Sequence, residues 1–197
     1  MKQFLFILCG VMFLCVFSSC IKEDNKAFQG KSVAEIDASP LNSANATTGY
    51  PVLTRIPAFA RPVVTTDSTL RRLNGTVRIR VNLVGPQENR EYKVGYKIFS
   101  APAITTIAFP ATPAGQVPAA AGANLAVLDA VAGTHYAPLS GVCTIPANSS
   151  FGFIDVNILN AAATPGQARF LGIQLDSTGS LAPNPNYNKL GLIIDQR

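Results

Sequence analysis

The chain has 197 residues, with 16 Lys and Arg against 11 Asp and Glu, one His and a formal net charge of +5. Its four Cys, two of them inside an N-terminal apolar run, exclude a disulfide scaffold and any zinc site that needs two Cys. The absence of Trp weakens a sugar-stacking role, and no polybasic tail or zinc-finger spacing supports nucleic-acid binding.

Lys2 is followed by an apolar run from Phe4 to Phe17, then Ser18, Ser19 and Cys20. A basic start, an apolar core and small residues before a cut define a secretory signal over residues 1–19. The run is shorter than the roughly 20 residues a membrane-spanning helix needs. Phe17-Ser18-Ser19-Cys20 resembles a bacterial lipobox. Small side chains fit a narrow peptidase site, and the Cys20 thiol accepts a diacylglycerol thioether. Several acyl chains then anchor the protein, at about 0.8 kcal/mol per buried methylene. The following Ile21-Lys22-Glu23-Asp24-Asn25 resembles the Lys-then-acidic export signal of Bacteroidetes surface lipoproteins. The resemblance implies a lipid-anchored protein displayed at the outer face of the outer membrane.

Residues 20–50, rich in Asn, Ser, Thr and Ala, read as the lipidated Cys20 and a tether that buries little. Residues 51–197 read as a single domain, long enough for one real core. A short strand is expected near 52–56. Residues 73–84 alternate, with Val77, Ile79, Val81 and Leu83 on one face and Arg78, Arg80 and Asn82 on the other. Gly85-Pro86 ends that strand. In 91–98, Tyr92, Val94, Tyr96 and Ile98 oppose Lys93 and Lys97. Residues 142–145 form a short strand closed by Pro146-Ala147-Asn148. In 151–159, Ile154, Val156 and Ile158 oppose Phe151, Phe153, Asp155 and Asn157. Two more strands are expected at 169–175 and 190–194. About seven short strands with no sustained helical period predict an all-β, immunoglobulin-like antiparallel sandwich. The Ala-, Pro- and Gly-rich stretch 101–130 is ambiguous. Ile104, Ile107 and Phe109 are candidate strand points, and 119–132 admits a short Ala-rich helix instead.

Gly133-Thr134-His135-Tyr136, then Thr144-Ile145-Pro146-Ala147-Asn148, then Ile154-Asp155-Val156-Asn157-Ile158 and Phe170-Leu171-Gly172-Ile173-Gln174-Leu175 form an ordered block. It resembles the Calx-beta-like domains of surface lipoproteins from gut Bacteroidetes, over about residues 70–195. Gly133 permits a turn that a side chain resists, and Asn148 tolerates a left-handed position. The resemblance implies an accessory role near glycan-uptake systems. It does not carry calcium binding: His135 stands at the family's Asp position, and no Asp-x-Asp cluster exists to supply oxygen ligands.

No catalytic constellation is present: no Gly-x-Ser-x-Gly elbow, His-Glu-x-x-His helix or phosphate loop. Asp129, Asp155 and Asp176 are the carboxylates from which a weaker hydrolase reading would draw its pair. His135 reads as a turn histidine and Cys143 as a buried small hydrophobe. Arg78 and Arg80 share one face, as do Lys93 and Lys97. If those strands pair, the four make a positive patch for acidic glycan or lipid phosphate. Phe151 and Phe153 either pack under a further layer or form an exposed aromatic patch. Tyr187, in the Asn184-Pro185-Asn186-Tyr187 turn, is a further candidate contact. Asp67-Ser68-Thr69 and Asp176-Ser177-Thr178 resemble the O-glycosylation motif of exported Bacteroidetes proteins, with Ser68 and Ser177 as acceptors.

The function expected is therefore a non-enzymatic surface module, without cofactor or metal, that binds glycan or serves a glycan-uptake complex. The alternative is a structural or adhesive subunit that binds an outer-membrane protein. A glycan binder should present an aromatic platform near Phe151 or Tyr187 flanked by amide or Arg donors.

Overall fold

The structure is a computed structural model and describes residues 28–37, 49–54, 70–72, 75–100, 104–108 and 124–196. The signal segment, Cys20 and Ser68 lie outside the described residues.

The described chain folds as eleven strands: β1 (Val33–Ile36), β2 (Val52–Thr54), β3 (Gly75–Val84), β4 (Tyr92–Phe99), β5 (Thr106–Ala108), β6 (Asn124–Asp129), β7 (Val142–Ile145), β8 (Phe151–Ile158), β9 (Gln167–Leu175), β10 (Ala182–Pro183) and β11 (Lys189–Asp195). They form two layers. The first sheet runs β10-β1-β3-β8 and the second β2-β11-β9-β4-β7. β4 lies along the second half of β9 and β6 along its first half, on the same edge, with β5 paired to β6. Three pairs are parallel, β1–β10, β2–β11 and β6–β9, so the sandwich is mixed rather than purely antiparallel.

Alternation sets the core. Val77, Ile79 and Val81 of β3 and Ile154, Val156 and Ile158 of β8 are all buried, as their spacing predicts. They meet Tyr92, Val94, Tyr96, Leu171, Ile173, Leu190 and Leu192 from the second sheet. Each such aliphatic side chain stabilises the fold by about 1.5–3 kcal/mol on burial. β11 is covered on both faces. Leu190, Leu192 and Ile194 face the first sheet, and Ile193 joins a second cluster with Val52, Ile107, Leu125, Val127 and Phe170 on the outer side. Burial on both faces explains why residues 190–194 are a continuous apolar run without alternation.

Three expectations are corrected. Residues 33–36, placed by the sequence in a tether, form β1 and pair with β3 from Val33↔Val84 to Ile36↔Val81. The sandwich therefore includes Val33 rather than beginning at residue 51. Residues 124–129 form β6, so the helical option for 119–132 fails there; Leu125 and Val127 alternate with exposed neighbours. Ile98 has the inward parity of β4, yet it is 41% exposed, while its neighbour Phe99 packs against the outer cluster. The turns behave as expected, with Gly133 at φ 78° and Asn148 at φ 59°.

Candidate functional site

β3 and β8 are neighbours in register, so their outward residues form an ordered lattice. Thr76 faces Asn157, Arg78 faces Asp155, Arg80 faces Phe153 and Asn82 faces Phe151. Two of these direct pairs are joined by polar contacts. Thr76 Oγ1 donates to Asn157 Oδ1 at 2.7 Å, and Arg78 donates from Nε and Nη2 to the two Asp155 oxygens at 2.7 and 2.9 Å. The diagonal partners are cation–π stacks: Arg78 lies over Phe153 at 4.9 Å and Arg80 over Phe151 at 4.0 Å. The two rings meet edge to face at 5.4 Å and 67°.

The lattice extends across β1. Asp37 Oδ2 is 3.9 Å from Arg80 Nε, and the Asp37 N–H donates to the Arg80 carbonyl. Glu35 faces Asn82 and accepts from Asn184 Nδ2 at 3.2 Å. Two guanidinium groups, three carboxylates, amides and two Phe rings thus line one sheet face. The Phe question resolves on both sides of the alternative: Phe151 is half-buried and Phe153 is 40% exposed. Gly152 lies between them because a Cβ there would strike the Thr144 carbonyl oxygen.

Charge on this face is nearly balanced. The bidentate bond from Arg78 holds the Asp155 carboxyl below its ordinary range. Arg80 is different. Among the described residues no side-chain hydrogen bond engages its guanidinium, which stacks on Phe151 with Asp37 Oδ2 3.9 Å from its Nε. The Asn82 Oδ1 atom is also buried without a partner.

The positive patch predicted from four basic residues does not form. Lys93 and Lys97 lie on β4 of the other layer, on the opposite outer face from Arg78 and Arg80. Lys93 Nζ donates to Thr144 Oγ1 at 3.0 Å and pairs with Glu91. The misreading arose because alternation assigns a face to each strand but not the sheet to which it belongs.

Tyr187 is 52% exposed and belongs to the edge of the first sheet, where its carbonyl accepts the Ile36 N–H at 2.7 Å. Its backbone is three strands from Phe151, about 14 Å at ordinary strand spacing. The two candidate contacts therefore share a sheet without forming one cluster. Ser177 is exposed in the turn after β9, beside Asp176, whose carboxylate accepts from the Thr178 N–H at 2.9 Å and from the Thr178 hydroxyl.

The three candidate hydrolase carboxylates are not brought together. Asp155 projects from the first sheet, Asp129 ends β6 and Asp176 follows β9 in the second. Among the described residues no group of three His, Cys, Asp or Glu side chains gathers for a metal ion. His135 is buried in its turn, and its Nδ1 accepts the Val131 N–H at 2.9 Å. Burial, and then the charge of Arg169, hold its pKa down. Cys143 is buried, and burial pushes its thiol up to about 11.

Comparison with known proteins adds likeness of shape. No family model matches the chain, and no curated protein matches it. Among solved structures, the crystal structure of the apo-form Calx CBD1 domain matches at 11% identity and a TM-score of 0.44, covering 85% of this chain and 100% of that one. A proposed carbohydrate-binding protein from Bacteroides ovatus matches at 13% identity and a TM-score of 0.40, covering 62% of this chain and 32% of that one.

Proposed function

We propose that the chain is a lipid-anchored surface module, without catalytic activity of its own, that holds a neutral polysaccharide on the outer face of β1, β3 and β8. The observation that carries this reading is Arg80 stacked on Phe151 beside the exposed Phe153. Sugar hydroxyls need donors and acceptors at close intervals, and the C–H face of a sugar needs apolar cover. This face supplies unspent guanidinium N–H groups, carboxylate and amide oxygens, and the edge-to-face pair Phe151 and Phe153 on one side of a single sheet. Its three carboxylates against two guanidinium groups disfavour an acidic ligand.

The test is binding of the full-length chain, purified in detergent, to a panel of neutral and acidic polysaccharides by affinity electrophoresis. Neutral glycan should retard it. R80A and F153A should each weaken retardation by roughly tenfold, or about 1.4 kcal/mol, while K97A on the other layer should not. Binding restricted to acidic glycans, or insensitive to R80A and F153A, would overturn the reading. Release of product from any glycan would replace it with an enzymatic one. A stoichiometric protein partner without glycan binding would favour a subunit role.

A further inference from the structure

One end of the space between the layers is polar where the rest is apolar. Along β11, Gln196 follows Leu192 and Ile194 on the inner face. β9 supplies the neighbouring inner positions, Gln167 and Arg169, through the register Ile194↔Arg169. On the other side of β11, Arg71 bridges to Asp195 and the Arg72 N–H donates to the Asp195 carbonyl at 2.8 Å. That sets Arg72 beside Gln196. Arg72, next to that isolated bridge, and Arg169, on β9, therefore approach from the two sides of β11, about 10 Å apart in backbone at ordinary spacing. The loop after β8 closes this end. Thr164 N–H donates to the Gln196 carbonyl at 2.9 Å, and Asn160 Oδ1 accepts from Arg72 Nη1 at 3.3 Å.

Among the described residues neither Arg72 nor Arg169 makes an ion pair. Arg169 donates only to the neutral Gln167 amide, at 2.9 Å. Four polar atoms are buried without partners: Arg72 Nε, Arg169 Nε, Thr164 Oγ1 and Gln196 Oε1. Leaving such groups unmet is costly, more so on a charged group. Gln196 is 1% exposed, and its amide is oriented by Nε2 donating to the Ile194 carbonyl at 3.3 Å. Its oxygen is therefore a fixed, buried acceptor without a partner.

We infer that this end of the sandwich binds a phosphate group. The two Nε–H groups and the Thr164 hydroxyl donate to phosphate oxygens, as charge-assisted bonds from guanidinium do. The P–OH of hydrogen phosphate donates to Gln196 Oε1. Sulfate has the same shape and charge but no proton for that oxygen. The site thus distinguishes the two ions by a single hydrogen bond.

The experiment is thermal unfolding and calorimetric titration of the full-length chain with sodium phosphate or sodium sulfate, at pH 7 and fixed ionic strength. Phosphate should raise the melting temperature saturably and bind roughly tenfold more tightly than sulfate. R72Q and R169Q should each weaken phosphate by at least that factor, with melting in phosphate-free buffer reporting whether they fold. T164V, an isosteric change in a loop, should also weaken it and guards against misfolded arginine variants. Competition by glycerol phosphate would extend the site to phosphate esters, and its absence would restrict it to the free ion. Equal response to the two ions, no response, or a response unchanged in T164V would overturn the inference.

Discussion

Arg80 lies over the ring of Phe151, its guanidinium carbon 4.0 Å from the ring centroid, while Arg78 one repeat away is locked to Asp155 by two hydrogen bonds. Two arginines of the same strand and face are thus put to different uses. Arg78 spends its donors within the sheet. Arg80 is held in place by an aromatic surface that takes none of its N–H groups, so its donors remain available outward.

The contrast between neighbours on β3 also fixes a stability test. Ile79 is 3% exposed and Arg80 faces outward. Ile79→Ala should cost about 2–5 kcal/mol through lost transfer energy and the cavity left behind. Arg80→Ala should cost far less. Chemical denaturation of the two variants decides it, and equal costs would mean that the faces of β3 are reversed.

Much of this fold is legible in the sequence. β3, β7 and β8 follow the written alternation within a residue or two, because one face meets the core and the other meets water. The unread elements share a physical cause. β1 has only Ala34 and Ile36 as inward residues, too few to mark a period, and its place depends on β3. β6 is a strand in an Ala-rich context because β9 and β5 pair with it from either side. The candidate site was half legible. The residue types and their faces were in the sequence, but the diagonal Arg–Phe stacks required the register of β3 against β8. The end cluster of Arg72, Thr164, Arg169 and Gln196 had no local signal, since it joins residues far apart in the chain.

Asp155 predicts a pH dependence. Its folded pKa is depressed, chiefly by the hydrogen bonds from Arg78. A depressed carboxylate contributes stability above its unfolded pKa of about 3.9 and loses that contribution as pH falls through the folded value. The melting temperature should therefore fall below about pH 4 more steeply in the wild-type chain than in Asp155→Asn. Solvent exposure of the pair keeps the difference modest. Parallel profiles for the two proteins would show that the ion pair does not stabilise the fold.

Cys143 should be inert while the protein is folded. With its thiol pushed up to about 11, the thiolate fraction at pH 8 is about one in a thousand, against roughly a quarter for an ordinary thiol near 8.5. Its Sγ also lies against the Phe153 carbonyl, at 3.4 Å. A thiol reagent should label it slowly in buffer and at once in denaturant. Rapid native labelling would mean that the contact between β7 and β8 opens readily.

Ser177 is the acceptor that the described residues leave accessible. Asp176 is occupied by Thr178, which pins the turn while Ser177 stays exposed. Expressed in a Bacteroidetes host, the chain should carry an O-linked glycan whose mass on the peptide containing residues 176–178 disappears in Ser177→Ala. An unmodified peptide in the wild-type chain would remove Ser177 from consideration.

The anchor is tested by mass and by partition together. The lipobox-like Phe17-Ser18-Ser19-Cys20 predicts cleavage before Cys20 and acylation of its thiol and new amino group. Cleavage also removes Cys9 and Cys15, and the thioether blocks Cys20. The mature chain should then present one thiol equivalent in denaturant, that of Cys143, where the uncut chain would present four. Its intact mass should begin at Cys20 with added acyl chains, and it should sediment with membranes in the absence of detergent. Cys20→Ala should lose both the acyl mass and the membrane association, because several buried acyl chains, each methylene worth about 0.8 kcal/mol, supply the attachment. A chain retaining residues 1–19, or one carrying an unmodified Cys20 thiol and sedimenting with membranes regardless, would require a different attachment and would remove the basis for placing the Arg80–Phe151 face at the cell surface.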